Sequence, residues 1–377
     1  MIGGGQGAFI GAVHRIASRI DDHYELVAGV FSSDLEKSKL SASELRVDPS
    51  RCYSGYEEMA EKESTREDKV DAVAIVTPNH VHYGPAVSFL KKDINVICDK
   101  PLTLNLEEAV SLVKAVESSN AIFALTHNYT GYPMVRQARA MIKDNKLGKI
   151  RVIQAEYAQD WLTTNLESKE GEDGYKQASW RTDPKRSGAG GCIGDIGTHA
   201  FNLISFTTGL NLKELSAELS TFVEGRVLDD NVQVMLRYEG GAKGSIWSSQ
   251  VAPGNENGLT IRIYGEKAGL SWNQENPNYL KFSPHGKPSV TLTRSGAETH
   301  PDANAVSRIP PGHPEGYLEG FANIYSDVAN AIWEKIETGK ATSQFIFPSV
   351  YDGLNGIKFV EKSVESSRHN SKWISFS

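Results

Sequence analysis

Short apolar runs, each followed by a helix-like stretch, recur from the start of the chain to about residue 126, and that alternation leaves few folds open. Residues 7–20 read as a helix and residues 24–31 as an apolar strand. A short helix then starts at Asp34, before a polar segment that runs to Lys69. Residues 70–76 read as a continuous apolar strand of the kind buried on both faces of a parallel sheet. Helix 83–91, strand 95–98, helix 106–118 and strand 121–126 complete the run. Strands and helices in alternation with short connections specify a doubly wound α/β sheet.

After residue 149 the periodicity changes. Residues 151–159, 216–222, 231–238, 243–250 and 259–264 alternate apolar with polar, with turn chemistry at Glu239-Gly240-Gly241 and Asn255-Glu256-Asn257-Gly258. This describes an antiparallel sheet with one solvated or helix-covered face. Between its first two strands lies an irregular stretch, 161–191, and a loop that long in a compact domain points to function. A helix from Asp195 stops at Gly209, and two more, about 316–338 and 348–366, close the chain. A length of 377 residues suits about two domains. The reading is an α/β domain over 1–130 and an α+β domain over 131–377.

Composition removes other classes. Forty Lys+Arg against 47 Asp+Glu leave a net charge of −7, without bulk attraction to nucleic acid or anionic lipid. No apolar run approaches the roughly 18 residues of a membrane span. Cys52, Cys98 and Cys192 are too few for a disulfide framework and wrongly spaced for zinc, so a reducing, cytoplasmic setting and no metal are expected. The chain reaches Gly3 after only Met1-Ile2, without the pattern of a secretory leader, and the first strand is expected to be clipped. The charged run from Glu57-Glu58 to Lys69 reads as a solvated face.

Gly3-Gly4-Gly5-Gln6-Gly7-Ala8 opens the first helix and reads as G-x-G-x-x-A, with Ala8 in the close-packing place. Such glycines let backbone amides at a helix N-terminus approach a pyrophosphate, although a plain glycine turn reads the same way. At the end of the second strand, Ser32 and Ser33 leave room for a ribose 2′-phosphate, with Lys37 just beyond. Asp34 either reaches the ribose or caps its helix, so NAD and NADP both stay open. Thr77-Pro78-Asn79-His80-Val81-His82 follows a buried strand at the edge where open α/β sheets bind ligands; it lines the cofactor or makes an ordinary turn. Cys98-Asp99-Lys100-Pro101 ends the next strand. There the Lys100 ammonium can steady a developing alkoxide, or be a solvated surface charge. Asp195 and His199 are four apart on a helix, a spacing that puts Cβ atoms about 5–6 Å apart. They suit an oriented general base, or an N-cap beside a packed histidine.

In this order and context the motifs resemble the Gfo/Idh/MocA family of NAD(P)-dependent sugar and cyclitol oxidoreductases, over almost the whole chain. The resemblance continues in His127-Asn128-Tyr129, Trp180-Arg181, Asp230-Asn231 and His313-Pro314-Glu315-Gly316-Tyr317. It implies a Rossmann domain followed by an α+β domain with an open, mostly antiparallel sheet that joins homo-oligomers, dimers or tetramers. By the same resemblance Gly3, Gly5, Gln6, Gly7, Ala8, Phe9, Ser32, Ser33 and Lys37 bind NAD, or NADP. So do Thr77, Pro78, Asn79, His82, Asp99, Lys100, Asn128, Trp180 and Arg181. Lys100, Asp195 and His199 take the catalytic positions, His199 as acid/base, with a cis bond before Pro101. Lys100, Tyr129, Trp161, Arg181, Asp195, His199 and His313 meet the substrate. Two departures stand out: Asp99 replaces the family's usual Glu, and the first strand is nearly absent.

Three functions are compatible with this pattern. The first is reversible oxidation of a ring hydroxyl, His199 taking the hydroxyl proton and Lys100 supporting the alkoxide while the nicotinamide supplies the redox chemistry. The second is an NAD-dependent, redox-neutral glycosidase that works by transient oxidation and elimination. The third is a non-catalytic nucleotide sensor, which the presence of Lys100 and His199 ranks last. Asp160, Asn165, Arg181 and Lys185 on or near the long loop lead us to expect a polar, hydroxyl-reading pocket.

Overall fold

A computed structural model describes residues 1–172, 174–343 and 345–376. It contains two compact units: Met1–Asn128 with Tyr317–Leu354, and Tyr129–Gly316 with the chain from Asn355 onward.

In the first unit β1 (Ile2–Gly3), β2 (Ala72–Val76), β3 (Asn95–Asp99) and β4 (Phe123–Thr126) form a parallel sheet in that order. The register pairs Gly3 with Val76, Ile75 with Cys98 and Asp99 with Thr126, so the turns that leave all four strands share one edge. Helices α1 (Phe9–Ile20), α2 (Leu35–Glu44), α3 (Tyr56–Ser64), α4 (Tyr83–Leu90) and α5 (Leu106–Glu117) fill the connections. Local chemistry sets their starts. At α5 the Asn105 side chain accepts from Glu108 N–H at 2.9 Å, and Glu108 Oε2 accepts from Leu104 N–H at 3.1 Å.

Three features differ from the sequence reading. Residues 24–31 form no strand; only Val30 and Gly29 make single bridges, to Ile2 and Cys52. A ladder needs successive partners, and a two-residue β1 offers almost none. The charged run after Glu57 is not simply a solvated face. It folds as α3, and Glu63 is fully buried, accepting from Arg51 Nε at 3.0 Å and Tyr53 OH at 2.7 Å. Residues 317–354 belong to the first unit rather than to a continuous second domain. Val13 and Ala17 of α1 pack with Phe321, Ile324 and Val328 over Ile97 and Ala124, which covers a sheet face that would otherwise meet water.

The second unit contains α6 (Pro133–Lys143), β5 (Ile150–Ala158), α7 (Tyr175–Arg181), α8 (Pro184–Ser187), α9 (Thr198–Thr208), β6 (Leu212–Ser220) and β7 (Asn231–Tyr238). It continues with β8 (Lys243–Ser249), β9 (Gly258–Gly265), β10 (Ala268–Asn273), β11 (Tyr279–Pro284), β12 (Val290–Thr293) and α10 (Pro301–Asn304). The helix Tyr317–Thr338 is α11; α12 (Val350–Arg368) carries the last passage between units, and β13 (Ile374–Ser375) ends the fold. The sheet order is β12-β11-β10-β9-β5-β8-β7-β6-β13, antiparallel everywhere except β5 against β8.

Strict alternation sorts the faces of this sheet. Val232, Val234 and Leu236 of β7 enter a core with Ile153, Ile261, Ile263 and the α9 residues Phe201 and Ile204. The opposite face leaves Val152, Met235 and Tyr264 exposed. Gly209, at φ +64°, ends α9 in a left-handed conformation that glycine adopts without strain. Among the described residues no helix is long and apolar enough to cross a membrane.

Candidate active site

The functional side chains fall into two groups, one in each unit. In the first unit the glycine turn is built from backbone that only glycine tolerates. Gly3, Gly4 and Gly7 have φ of +80°, +75° and +72°. A Cβ on Gly5 would lie 2.6 Å from the Phe31 carbonyl oxygen, and one on Gly11 would lie 2.3 Å from Gly4 Cα. The tight helix-to-turn contact is therefore made by Gly11, which the motif reading passed over, and not by Ala8. No side chain caps the N-terminus of α1, whose N–H groups remain directed at the turn. Beside it lies a cleft of about 460 Å³ lined by Gly5, Gln6, Gly7, Ala8, Phe9, Arg15, Ser41 and Glu44 among others.

The adenosine-side expectations separate. Asp34 caps α2, accepting from Lys37 N–H at 2.9 Å. Ser32 is half-buried and Ser33 and Lys37 are exposed, and none of the three lines that cleft.

The turns after β2, β3 and β4 carry the other first-unit residues. Asn79 is buried in a short turn after Pro78. His82 is fully buried between two turns, its Nδ1 lying 2.6 Å from the Pro101 carbonyl and its Nε2 2.8 Å from the Thr77 carbonyl; in the neutral form its single N–H bonds one of them while the ring packs against both turns. Burial pushes the His82 imidazole below its usual range. The Lys100-Pro101 bond is cis, as the family resemblance implies.

Beneath Lys100, Asp99 is buried and accepts from Thr126 Oγ1 at 2.9 Å, with His14 Nε2 at 3.7 Å. Burial raises the Asp99 carboxyl, yet His14, Lys100 and His82 outweigh it and hold the group below the ordinary carboxylate range. His14 in turn meets Tyr325 OH at 2.8 Å. Burial lowers His127 to about 4. Two buried polar atoms at strand ends, Thr77 Oγ1 and Asn128 Nδ2, lack a hydrogen-bond partner among the described residues. Groups of that kind can receive a polar ligand or an ordered water.

In the second unit Asp195 lies in a π-helical turn, Ile193–Gly197, that runs into α9, where His199 follows one turn later. Such turns are frequent at functional sites. Asp195 accepts from Gln250 Nε2 at 2.9 Å and pairs with Arg181 Nε at 3.3 Å. The Arg181 guanidinium rests over the Trp180 ring at 4.2 Å and the Trp161 ring at 5.9 Å, which gathers the expected Trp161, Trp180, Arg181 and Asp195. Trp180 and Arg181 end a short helix, α7, inside the stretch read as irregular.

His199 is buried, edge-on to Tyr129 at 4.9 Å between ring centroids and tilted to Tyr157 at 6.0 Å. Burial raises the Tyr129 phenol above its usual value. His313 is exposed; its backbone carbonyl accepts from the buried Arg294 at 2.6 Å.

Several residues that shape this group were not singled out from the sequence. The buried Asp229 carboxylate accepts from Gly191 N–H at 2.6 Å and Ile193 N–H at 2.8 Å, so it anchors the entry to the π turn. Gln250 holds Asp195, and Gln159, Tyr157 and Asn257 back Tyr129. The one signal for Asp229 was its adjacency to the Asp230-Asn231 motif; of the others, Tyr157 sits on β5 and Gln159, Gln250 and Asn257 sit next to strand ends, where only their inward direction matters.

Comparisons with known proteins follow this geometry. Residues 1–138 match the family model for an oxidoreductase family with an NAD-binding Rossmann fold, and residues 135–271 match the GFO/IDH/MocA C-terminal domain. The crystal structure of an oxidoreductase from Sinorhizobium meliloti is 54% identical, with TM-score 0.90 over 99% of this chain and 98% of that one. That of an inositol dehydrogenase homolog from Azotobacter vinelandii, complexed with NADH and myo-inositol, is 34% identical, with TM-score 0.92 over 100% and 96%. The levoglucosan dehydrogenase of Pseudarthrobacter phenanthrenivorans is 27% identical over 334 residues, 81% of this chain and 80% of the relative. The first unit is thus an NAD-binding Rossmann domain. Its glycine turn, open helix N-terminus and orphaned Thr77 and Asn128 atoms fit that cofactor.

Proposed function

This chain belongs to the Gfo/Idh/MocA family of NAD-dependent oxidoreductases, and from that premise we propose that it oxidises a ring hydroxyl of a cyclitol or sugar, reversibly. The observation that carries the reading is the environment of His199: a buried imidazole walled by hydrogen-bonded tyrosines, beside an Asp195 held by Gln250 and Arg181. Such a set offers several hydrogen-bonding groups among aromatic walls, which suits a substrate rich in hydroxyls. Likeness over the whole chain to a homolog bound to myo-inositol supports the same substrate class.

Bound NAD supplies the redox couple for removing the carbinol hydrogen. In this reading the uncapped N-terminus of α1 and the turns at Thr77 and Asn128 hold the dinucleotide. His199 takes the proton of the reacting hydroxyl, and the Lys100 ammonium stabilises the alkoxide that this exposes. Asp195 binds a second hydroxyl and is held in place by its pairing with Arg181. His82 fixes the Lys100-Pro101 turn against the Thr77 turn, so the ammonium does not drift.

The test is NAD reduction across a panel of inositols, free hexoses and anhydrosugars by the wild type and Lys100→Ala. Turnover is expected with a cyclitol or sugar, and the variant is expected still to bind NAD while losing at least about a thousandfold in kcat. Near-normal turnover by Lys100→Ala removes that lysine from the mechanism. Release of phenol from aryl glycosides at substoichiometric NAD, without NADH accumulation, replaces net oxidation by the redox-neutral route.

A further inference from the structure

We propose that Trp161, acting through Gln159, Asn257 and Tyr157, locks the Tyr129 phenol as a hydrogen-bond acceptor toward substrate, so that the site selects a free hydroxyl over any group that can only accept. The inference rests on the polyol reading and deepens it to a specificity rule.

The chain of contacts lies within the second unit and takes its direction from one atom. An indole N–H can donate and cannot accept. Trp161 Nε1 donates to Gln159 Oε1 at 3.1 Å, which decides the orientation of that amide. Its nitrogen then donates to Asn257 Oδ1 at 2.8 Å. The same Asn257 oxygen accepts the Tyr157 hydroxyl at 2.7 Å, so the only proton on that phenol is used there. The Tyr157 and Tyr129 oxygens are 2.6 Å apart. With the Tyr157 proton spent, Tyr129 must donate across that gap. A phenol has one proton, and Tyr129 is left with lone-pair capacity alone for a further partner. The His199 ring against its face places this acceptor beside the proposed base.

A substrate hydroxyl can donate to Tyr129; a fluorine or a methoxy oxygen cannot. Two acceptors would then face each other in a buried site, which weakens binding about tenfold or more. Gln159→Glu should invert the chain. Its carboxylate still accepts from Trp161 but forces Asn257 to turn its amide nitrogen toward residues 159 and 157. Tyr157 then accepts from that nitrogen and donates to Tyr129, whose own proton is released toward the substrate.

Two measurements test this. Neutron diffraction from crystals of the full-length deuterated protein should show the deuteron between the two tyrosine oxygens bonded to Tyr129. A deuteron bonded to Tyr157 there overturns the proposal. In the second, NAD-loaded wild type and Gln159→Glu are titrated with myo-inositol and with its monodeoxy-monofluoro derivatives. One fluoro derivative is expected to bind the wild type about tenfold or more weakly than myo-inositol, and the variant within about threefold. Equal discrimination in both proteins overturns the specificity rule, since a merely structural role for Gln159 would weaken every ligand alike. If wild type binds none of the panel, the polyol reading has failed, and the neutron map still decides the polarity of the chain.

Discussion

Replacing Asp229 by Asn should change how the second unit responds to pH, in a direction the structure dictates. The carboxylate is fully enclosed and receives two short backbone hydrogen bonds, from Gly191 and Ile193, at the start of the π turn that carries Asp195. Burial raises its pKa from an ordinary 3.8 to about 6, against the pull of those N–H groups. Because the folded value lies above the unfolded one, the associated stability is fully present below pH 3.8 and is lost as pH rises through about 6. At 1.36 kcal/mol per tenfold, the loss comes to roughly 3 kcal/mol.

Asparagine is neutral at every pH and escapes this loss, but it turns an NH2 group toward one of the two backbone donors, which costs about 1–3 kcal/mol. Asp229→Asn should therefore be the less stable protein at pH 4, and the gap should close or reverse by pH 8. Urea unfolding of both proteins at pH 4, 5, 6, 7 and 8 reads the gap directly. A gap that stays constant or widens toward pH 8 refutes the account, because it would mean that the ionised carboxylate is more stable in the fold than in water.

Other outcomes follow from single contacts. Gly5→Ala puts a methyl 2.6 Å from the Phe31 carbonyl and should raise the NAD Kd at least about tenfold by calorimetry, with unchanged affinity refuting the close approach. Glu63→Gln removes the buried charge partner of Arg51, leaving the exposed Asp68 at 3.4 Å, and should destabilise the first unit by about 3 kcal/mol. Burial alone would raise the Glu63 carboxyl, but Arg51 and Tyr53 hold it below its ordinary 4.5, so its contribution should vanish as pH falls below that value. We also propose that the open face of the nine-stranded sheet joins copies of the chain. Met235→Glu on that face should then shift the protein to a smaller species in sedimentation velocity.

Most of the fold was legible where burial on a strand or helix is one-sided or complete. Residues 231–238 alternate so regularly that β7 is read to the residue, and β2 is apolar enough to be read as a doubly covered strand. Legibility failed where an element depends on a partner rather than on its own pattern. Residues 24–31 look like a strand and lack one because β1 supplies only two residues. The opposite error occurs at β10, β11 and β12, short segments that become strands only by adding in register one after another, β10 on β9, β11 on β10 and β12 on β11. The return of residues 317–354 to the first unit is likewise a matter of which apolar stripe finds which uncovered face, and no local pattern specifies that.

The site divides along the same line. Gly3 through Ala8, Lys100, Asp195 and His199 stand out because turn geometry, and the chemistry proposed for the last three, restrict the residue type strongly. Gln159, Tyr157 and Asn257 pass unnoticed because each is an ordinary residue on or next to a strand, and its contribution is a direction of donation, not a chemical identity. The same residues, together with Tyr129, could be joined with the opposite polarity if position 161 held an acceptor. Trp161 therefore carries information that its neighbours do not: as a group that only donates, it removes the second hydrogen-bonding solution for the whole chain. A histidine at 161 would accept as readily as it donates, restore both solutions, and leave Tyr129 free to alternate between offering a proton and receiving one. The aromatic residue there thus contributes to substrate choice through its N–H as well as through the ring that carries Arg181.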